Sequence, residues 1–277
     1  MSVVPDTGTI PDIGTTSVSR AGASPVLLGL VGLAGFAGLL ELLPRIGVIP
    51  GEYFPPTSRI VAALVDQLGT DAFWVALTDT LSSWAIGLAI ASGAGILLGL
   101  LIGSVPWLRA LTASTIEFLR PIPSVALIPL VAVLYGSKPT STIILVVYAA
   151  FWQVLIQVLV GVVDVDPVAM DTAYSYRLPR WRRLVNVIWP TTLPYAITGF
   201  RLATAVALIL TITGELVVGS PGIGKLIEVA YTSNAVATMY ALVVVTGIVG
   251  VAANLGTRAL ERLVLAWHPS VRKDVVA

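Results

Sequence analysis

DPVAMDTAYSYRLPRWRRLVNVIWPTTLP, residues 166–194, is the stretch in which four arginines interrupt an otherwise apolar chain. Asp166 can cap free amides at a helix start, and Pro167 has the fixed φ suited to the first helical position. On the predicted helix, Ala169, Thr172, Ala173 and Tyr176 share one side, flanked by Asp171 and Ser175, which makes a small, polar face. Leu178 precedes Pro179 and is thereby pushed out of helical geometry, so two short helices are expected rather than one. In the second, Trp181, Leu184, Val185 and Ile188 recur at i, i+3, i+4 and i+7, with Arg180, Arg182 and Arg183 on the remainder. This pattern predicts an amphipathic helix at a cytoplasmic membrane surface. The arginines would equally serve to fix topology and touch lipid headgroups.

Outward from this stretch the chain turns apolar in both directions. Of its 277 residues, 56% are hydrophobic and 11% charged, against about 25% charged in soluble domains. So few charges could not cover a water-soluble fold. Runs long enough to cross about 30 Å of hydrocarbon place six spans, near residues 25–44, 74–103, 115–135, 141–163, 192–217 and 239–264. The fold class expected is therefore an all-α integral membrane bundle of about six transmembrane helices, with a transport domain over 25–264. Between the first two spans, Gly51, Pro55 and Pro56 precede a mildly amphipathic run, Ser58 to Leu68, suited to the membrane surface. Placing the N-terminus inside puts eleven basic residues in the cytoplasm, Arg109, Arg120 and the four arginines above among them, and leaves Arg45, Arg59, Lys138 and Lys225 outside. That excess predicts a multi-pass protein of the cell (inner or plasma) membrane with both termini cytoplasmic. Residues 1–24, rich in Ser, Thr, Gly, Pro and Asp, read as a flexible cytoplasmic tail, and 265–277 as a second. The first apolar run starts near Pro25, too far from Met1 for a cleavable signal peptide.

Within the spans, Gly87, Ala91, Gly95, Gly99 and Gly103 stand four apart, a small-residue face for close packing inside the bundle or between two copies. Pro121, Pro123 and Pro129 fall in the third span, where they free backbone carbonyls; such a helix either lines a solute path or kinks against its neighbours. Arg201 and Glu215 lie in the fifth, about 21 Å apart. Charges there cost about 2.5 to 3.5 kcal/mol, so they either reach the interface or face a pathway. Glu41, and Glu117 with Arg120, read as interfacial. Gly219 to Lys225 matches most of GxxxxGK, but Leu226 stands where a magnesium-binding hydroxyl belongs and a membrane helix precedes it, which excludes a phosphate loop. It reads instead as a turn at the outer end, with Gly222 and Gly224 at a candidate gate.

No cysteine is present, which removes disulfides, iron-sulfur clusters and thiolate zinc sites. One histidine, His268, and dispersed acids leave no HExxH, GxSxG or carboxylate cluster, so no catalytic, metal or cofactor site is expected. A net charge of +1 gives no reason to expect a nucleic-acid partner.

Asp171-Thr-Ala173, Arg177, Val187 and Trp189-Pro190 resemble the cytoplasmic signature of permeases from binding-protein-dependent ABC importers. The family pattern is Glu-Ala-Ala, three residues, Gly, nine residues, Ile, one residue, Leu-Pro. Arg120-Pro-Ile-Pro123, Ile128-Pro129, Gly199-Phe-Arg201 and Gly222-Ile-Gly224 are similar to the nitrate, sulfonate and taurine branch, and the likeness runs over roughly residues 55–265. The resemblance implies a homodimer in the lipid bilayer that works with two cytoplasmic ABC ATPase subunits and an extracytoplasmic solute-binding protein, ATP hydrolysis resting with the partner. It places a coupling helix within 166–190, with Asp171, Thr172, Ala173, Arg177 and Pro190 at the ATPase contact, and implies a sulfonate-, taurine- or nitrate-like cargo. Arg177 replaces a Gly, so the turn is expected to lose conformational freedom. The alternative, a self-sufficient secondary transporter or channel, would need coupling charges near the bilayer midplane, and apart from Arg201 and Glu215 the spans carry none.

Overall fold

A computed structural model describes residues 25–267; the tail at 1–24, His268 and the rest of the C-terminal tail lie outside the described residues. The centre is built on the small-residue stripe. Helix α3 (Asp71–Ser104) and helix α6 (Pro139–Val163) run side by side in the same direction. Gly87, Gly95, Gly99 and Gly103 meet Val146, Val154, Val158 and Val162 in that order, and a Cβ at Gly99 would stand 2.6 Å from Val158 Cγ1. A valine ridge thus fills a glycine groove within one chain, which answers whether the stripe packs inside the bundle. Helix α9 (Trp189–Val218) runs antiparallel along α6, with Gly161 against Tyr195, Gly199 against Gln157 and Gly214 against Thr142. Val146, Ala150, Val154, Val158, Ala203 and Ala207 are wholly buried between these helices. Around this trio stand α1 (Pro25–Arg45), α2 (Thr57–Leu68), α10 (Ile223–Thr232) and α11 (Val236–Val264). Glu41 of α1 accepts hydrogen bonds from the Ser58 amide and hydroxyl, tying α1 to α2.

Among the described residues, five helices are long and apolar enough to cross a membrane, and a sixth span exists if a bent pair counts as one. That pair is the third span. It starts at Pro106, earlier than the expected 115, as α4 (Pro106–Leu119), then turns by 78° into Ser124–Tyr135, which ends in α5 (Ile128–Tyr135). Pro121 and Pro123 have no N–H to continue the ladder and disfavour α geometry in the residues before them, so the helix stops at Leu119. Its carbonyl accepts from the Tyr148 hydroxyl at 2.9 Å.

The arginine-rich stretch also departs from expectation. Helix α7 (Pro167–Ser175) stands alone as predicted, but α8 (Arg180–Arg183) does not lie as a separate surface helix. It runs through one wide turn of π geometry, Leu184–Ile188, straight into α9, making one helix from Arg180 to Val218. Pro190 offers no N–H to the Asn186 carbonyl and its ring crowds that turn; widening it keeps the helix continuous.

Candidate functional site

Helix α7 occupies one end of the bundle. Asp166 Oδ1 accepts from the Val168 amide at 2.8 Å, the cap anticipated from sequence. At the other terminus Arg177 has φ 51°, and the Leu178 amide donates to the Ala173 carbonyl while the Arg177 amide donates to the Tyr174 carbonyl. These are the two bonds of a Schellman turn, whose left-handed residue is usually Gly. Arg177 therefore adopts the left-handed conformation that Gly takes up freely, at a strain of about 1 to 2 kcal/mol.

The predicted coupling residues divide by exposure. Asp171, Thr172 and Arg177 are exposed, Ala173 is buried beneath the helix, and Pro190 is half-buried inside the long helix. Two contacts hold α7 to it and went unread in the sequence. The Arg183 guanidinium carbon lies 4.1 Å from the centre of the Tyr174 ring, a cation–π contact. The Tyr195 hydroxyl donates to Asp164 just ahead of α7. Tyr174, Ser175 and Tyr176 face outward beside Asp171 and Thr172.

The opposite end carries α10 and the Gly219–Gly224 turn. Glu215 neither reaches water nor stands open to a pathway within this chain; it is wholly buried. Its Oε2 accepts from Thr80 Oγ1 at 2.9 Å and from the Gly224 amide at 2.9 Å. Thr80 Oγ1 in turn accepts from the Ile223 amide at 2.8 Å. A carboxylate and a hydroxyl thus satisfy the open amides that start α10, where the helix dipole also favours negative charge. Gly222 has φ 148°, and a Cβ there would overlap the Glu215 carboxyl group. A Cβ at Gly224 would lie 2.5 Å from the Ile212 carbonyl oxygen. Ser220 and Thr142 share a hydrogen bond, and Ser137 donates to the Val218 carbonyl at 2.7 Å, so the turn is stitched to α6 and its approach. Thr80, 135 positions from its partner, left no sequence signal.

Between the ends, Arg201 Nη1 lies 3.8 Å from Glu261 Oε2 of α11, both partly exposed. Pro121, Pro123 and Pro129 are exposed at the elbow of the bent pair. Beside that elbow a cavity of about 560 Å³ opens between α3, α4 and α6. Among the described residues no group of His, Cys, Asp and Glu could hold a metal ion.

A bundle of apolar spans with a broken helix beside a cavity, a sealed turn at one end and an exposed short helix at the other defines a membrane-embedded transport subunit. The chain belongs to the family of binding-protein-dependent transport system inner membrane components, whose model matches residues 95–266. It is thus a multi-pass permease subunit of an ATP-driven ABC importer, in which ATP hydrolysis resides on separate subunits. It is 30% identical over 225 residues to the taurine transport system permease protein TauC of Escherichia coli (strain K12), covering 79% of this chain and 82% of that one. It is 27% identical to the nitrate import permease protein NrtB of a Synechocystis species, over 74% of this chain and 75% of the relative. Its fold matches a chain of a bacterial alginate ABC transporter with a TM-score of 0.61 at 14% identity, over 86% of this chain and 94% of that chain. It also matches a chain of the inward-facing MetNI methionine ABC transporter at 0.54 and 18%, over 69% and 93%.

Proposed function

We propose that two copies of this permease form a pore, that a pair of cytoplasmic ABC ATPases grips α7 of each, and that an extracytoplasmic binding protein delivers a small sulfonate-, taurine- or nitrate-like anion at the α10 end. In this reading residues 25–264 are the transport domain, and both tails lie in the cytoplasm. The observation that carries it is α7 itself. A nine-residue helix closed at both termini, with Asp171, Thr172 and Ser175 exposed and Tyr176 exposed just beyond it, has a free face for a partner. Ala173 lies beneath, where only a small side chain lets α7 sit close against the 184–188 turn. Because α8 and α9 are one helix, a push on α7 passes through Tyr174–Arg183 and Asp164–Tyr195 into a span packed along α6.

Charge favours this orientation, since Arg109, Arg177, Arg180, Arg182 and Arg183 crowd the α7 end. Glu215, Thr80, Gly222 and Gly224 form the outer gate's hinge, and Pro121, Pro123 and Pro129 border the pathway. The anionic cargo is supported by the taurine, sulfonate and nitrate systems of the relatives.

Reconstitution with the cognate ATPase and binding protein tests it. The complex is expected to hydrolyse ATP faster when the binding protein is added. Asp171→Arg with Thr172→Trp, both at exposed positions, is expected to abolish that stimulation while the permease stays folded. If the doubly substituted chain still binds the ATPase and responds fully, α7 is not the coupling helix.

A further inference from the structure

Arg120 has a place in the fold that its position in the sequence conceals. Helix α4 begins beside the inner end of α6, for Gly103, just before it, lies against Val162. It ends at Leu119, whose carbonyl is bonded to Tyr148. At 1.5 Å per residue, Tyr148 stands about 22 Å from the end of α6 at Val163. Arg120 therefore sits near the middle of the bundle's depth, where an ionised side chain costs about 2.5 to 3.5 kcal/mol or more.

Among the described residues nothing offsets that cost: the Arg120 side chain is exposed, and its guanidinium has no ion pair and no hydrogen bond. Glu117, one turn earlier on the same wall, is beyond ion-pair distance, and Asp164 at the mouth already accepts from Tyr195. Arg120 lines the cavity of about 560 Å³, whose walls include Ile116, Ile156 and Leu159 and whose mouth carries Arg109. The helix breaks at that residue, turning by 78°. A broken helix that bares backbone and charge to a cavity at mid-depth is how transport proteins build solute sites.

Resting on the importer reading above, the geometry points to Arg120 as the group that engages the anionic head of the solute inside the permease. A guanidinium presents paired N–H donors that match two oxygens of a sulfonate, carboxylate or nitrate, and the exposed Arg120 side chain leaves them open to such a ligand. Arg109, three turns lower on the same face, offers a second positive charge on the way out.

The absence of cysteine makes the test direct. In the assembled transporter, reconstituted in zwitterionic phospholipid, Arg120→Cys is expected to react with a membrane-impermeant methanethiosulfonate at least about ten-fold faster than Phe118→Cys, which points away from the cavity. Equal, slow labelling overturns the proposal. Uptake of labelled taurine, an alkanesulfonate and nitrate supplies the second arm. Arg120→Gln is expected to lower uptake about ten-fold or more, with Arg120→Lys intermediate, while binding-protein-stimulated ATP hydrolysis stays within about two-fold of wild type. Unchanged uptake in Arg120→Gln, or ATP hydrolysis falling in step with uptake, refutes the assignment. So does an effect seen only when anionic phospholipid is added, since the guanidinium would then hold lipid. A wild-type complex that hydrolyses ATP but moves none of the three anions removes the anion assignment alone, whereas failure to bind any ATPase removes the importer reading itself.

Discussion

The two ends of the bundle each hold a short helix, and they hold it in opposite ways. At one end the start of α10 is closed by a buried carboxylate, a buried hydroxyl and two glycines with no room for a side chain. At the other, α7 is closed by its own cap and its own Schellman turn, and all its residues but Met170 and Ala173 are exposed. The first helix has spent its polar groups on its own chain. The second keeps its outer face for something else. Each end also contains a residue at positive φ, but Gly222 is walled in by Glu215 whereas Arg177 stands in the open. The backbone demands differ as well, for Gly222 at φ 148° and ψ −178° lies in a region that only Gly visits freely, whereas Arg177 at φ 51° lies in the milder left-handed helical region, and substitutions can measure the contrast.

The largest effect is expected at Gly222→Ala. A Cβ at that φ is strained, and here it would also displace the Glu215 carboxyl group, so the turn and the α10 start must move together. A loss of about 3 kcal/mol or more is expected, read as a fall in thermal midpoint in detergent. Next comes Glu215→Ala, which leaves the Thr80 hydroxyl and the Gly224 amide buried without their acceptor. A cost of about 2 to 4 kcal/mol is expected, with Thr80→Val nearer 1 to 3. Since Thr80 and Glu215 share the same bond, the double variant should cost less than the two separately. Strict additivity would show that the carboxylate and hydroxyl do not act as a unit.

At the α7 end a bulky substitution separates two layers of one helix. Ala173→Leu is expected to destabilise by about 1 to 3 kcal/mol through overpacking. Thr172→Leu, one residue away but exposed, should change the thermal midpoint by less than the equivalent of about 0.5 kcal/mol and still weaken ATPase coupling. Equal stability losses at both would mean that α7 presents no free face.

That layering shows how far residues alone could lead. Asp166, Pro167 and Pro179 set helix boundaries by local sterics and capping, and these are readable because cause and effect lie within four residues. The glycine stripe likewise announced a close contact, though not its partner, because a groove does not name the ridge that fills it. Hydropathy windows placed the third span too late and made Arg120 interfacial, since Arg109, Glu117 and Arg120 lower the apolar score of α4, a peripheral helix that contributes no buried residue and still climbs to mid-depth. The Thr80–Glu215 pair was invisible: one hydroxyl among many, brought to its carboxylate only by tertiary packing across α3, α9 and α10. The continuity of α8 with α9 was hidden for the opposite reason, because proline argues locally for a break that one wide turn absorbs.

The smallest effect expected is a gain. Arg177→Gly replaces a residue that pays about 1 to 2 kcal/mol for left-handed geometry with one that adopts it freely, against about 0.4 to 1 kcal/mol of extra unfolded-chain entropy. The net stabilisation is about 0 to 1.6 kcal/mol, centred near 0.8, and confined to the end of α7, because the exposed guanidinium makes no ion pair or hydrogen bond among the described residues. So local a change is better read by hydrogen exchange than by global melting. The Leu178 amide, bonded to the Ala173 carbonyl at 3.0 Å, is expected to exchange about two- to five-fold more slowly in Arg177→Gly. Arg177→Val should do the reverse, since a β-branched side chain is poorly tolerated at positive φ. Unchanged protection in both would mean that the Schellman turn does not limit the opening of α7, and that its ordering comes from whatever grips its outer face.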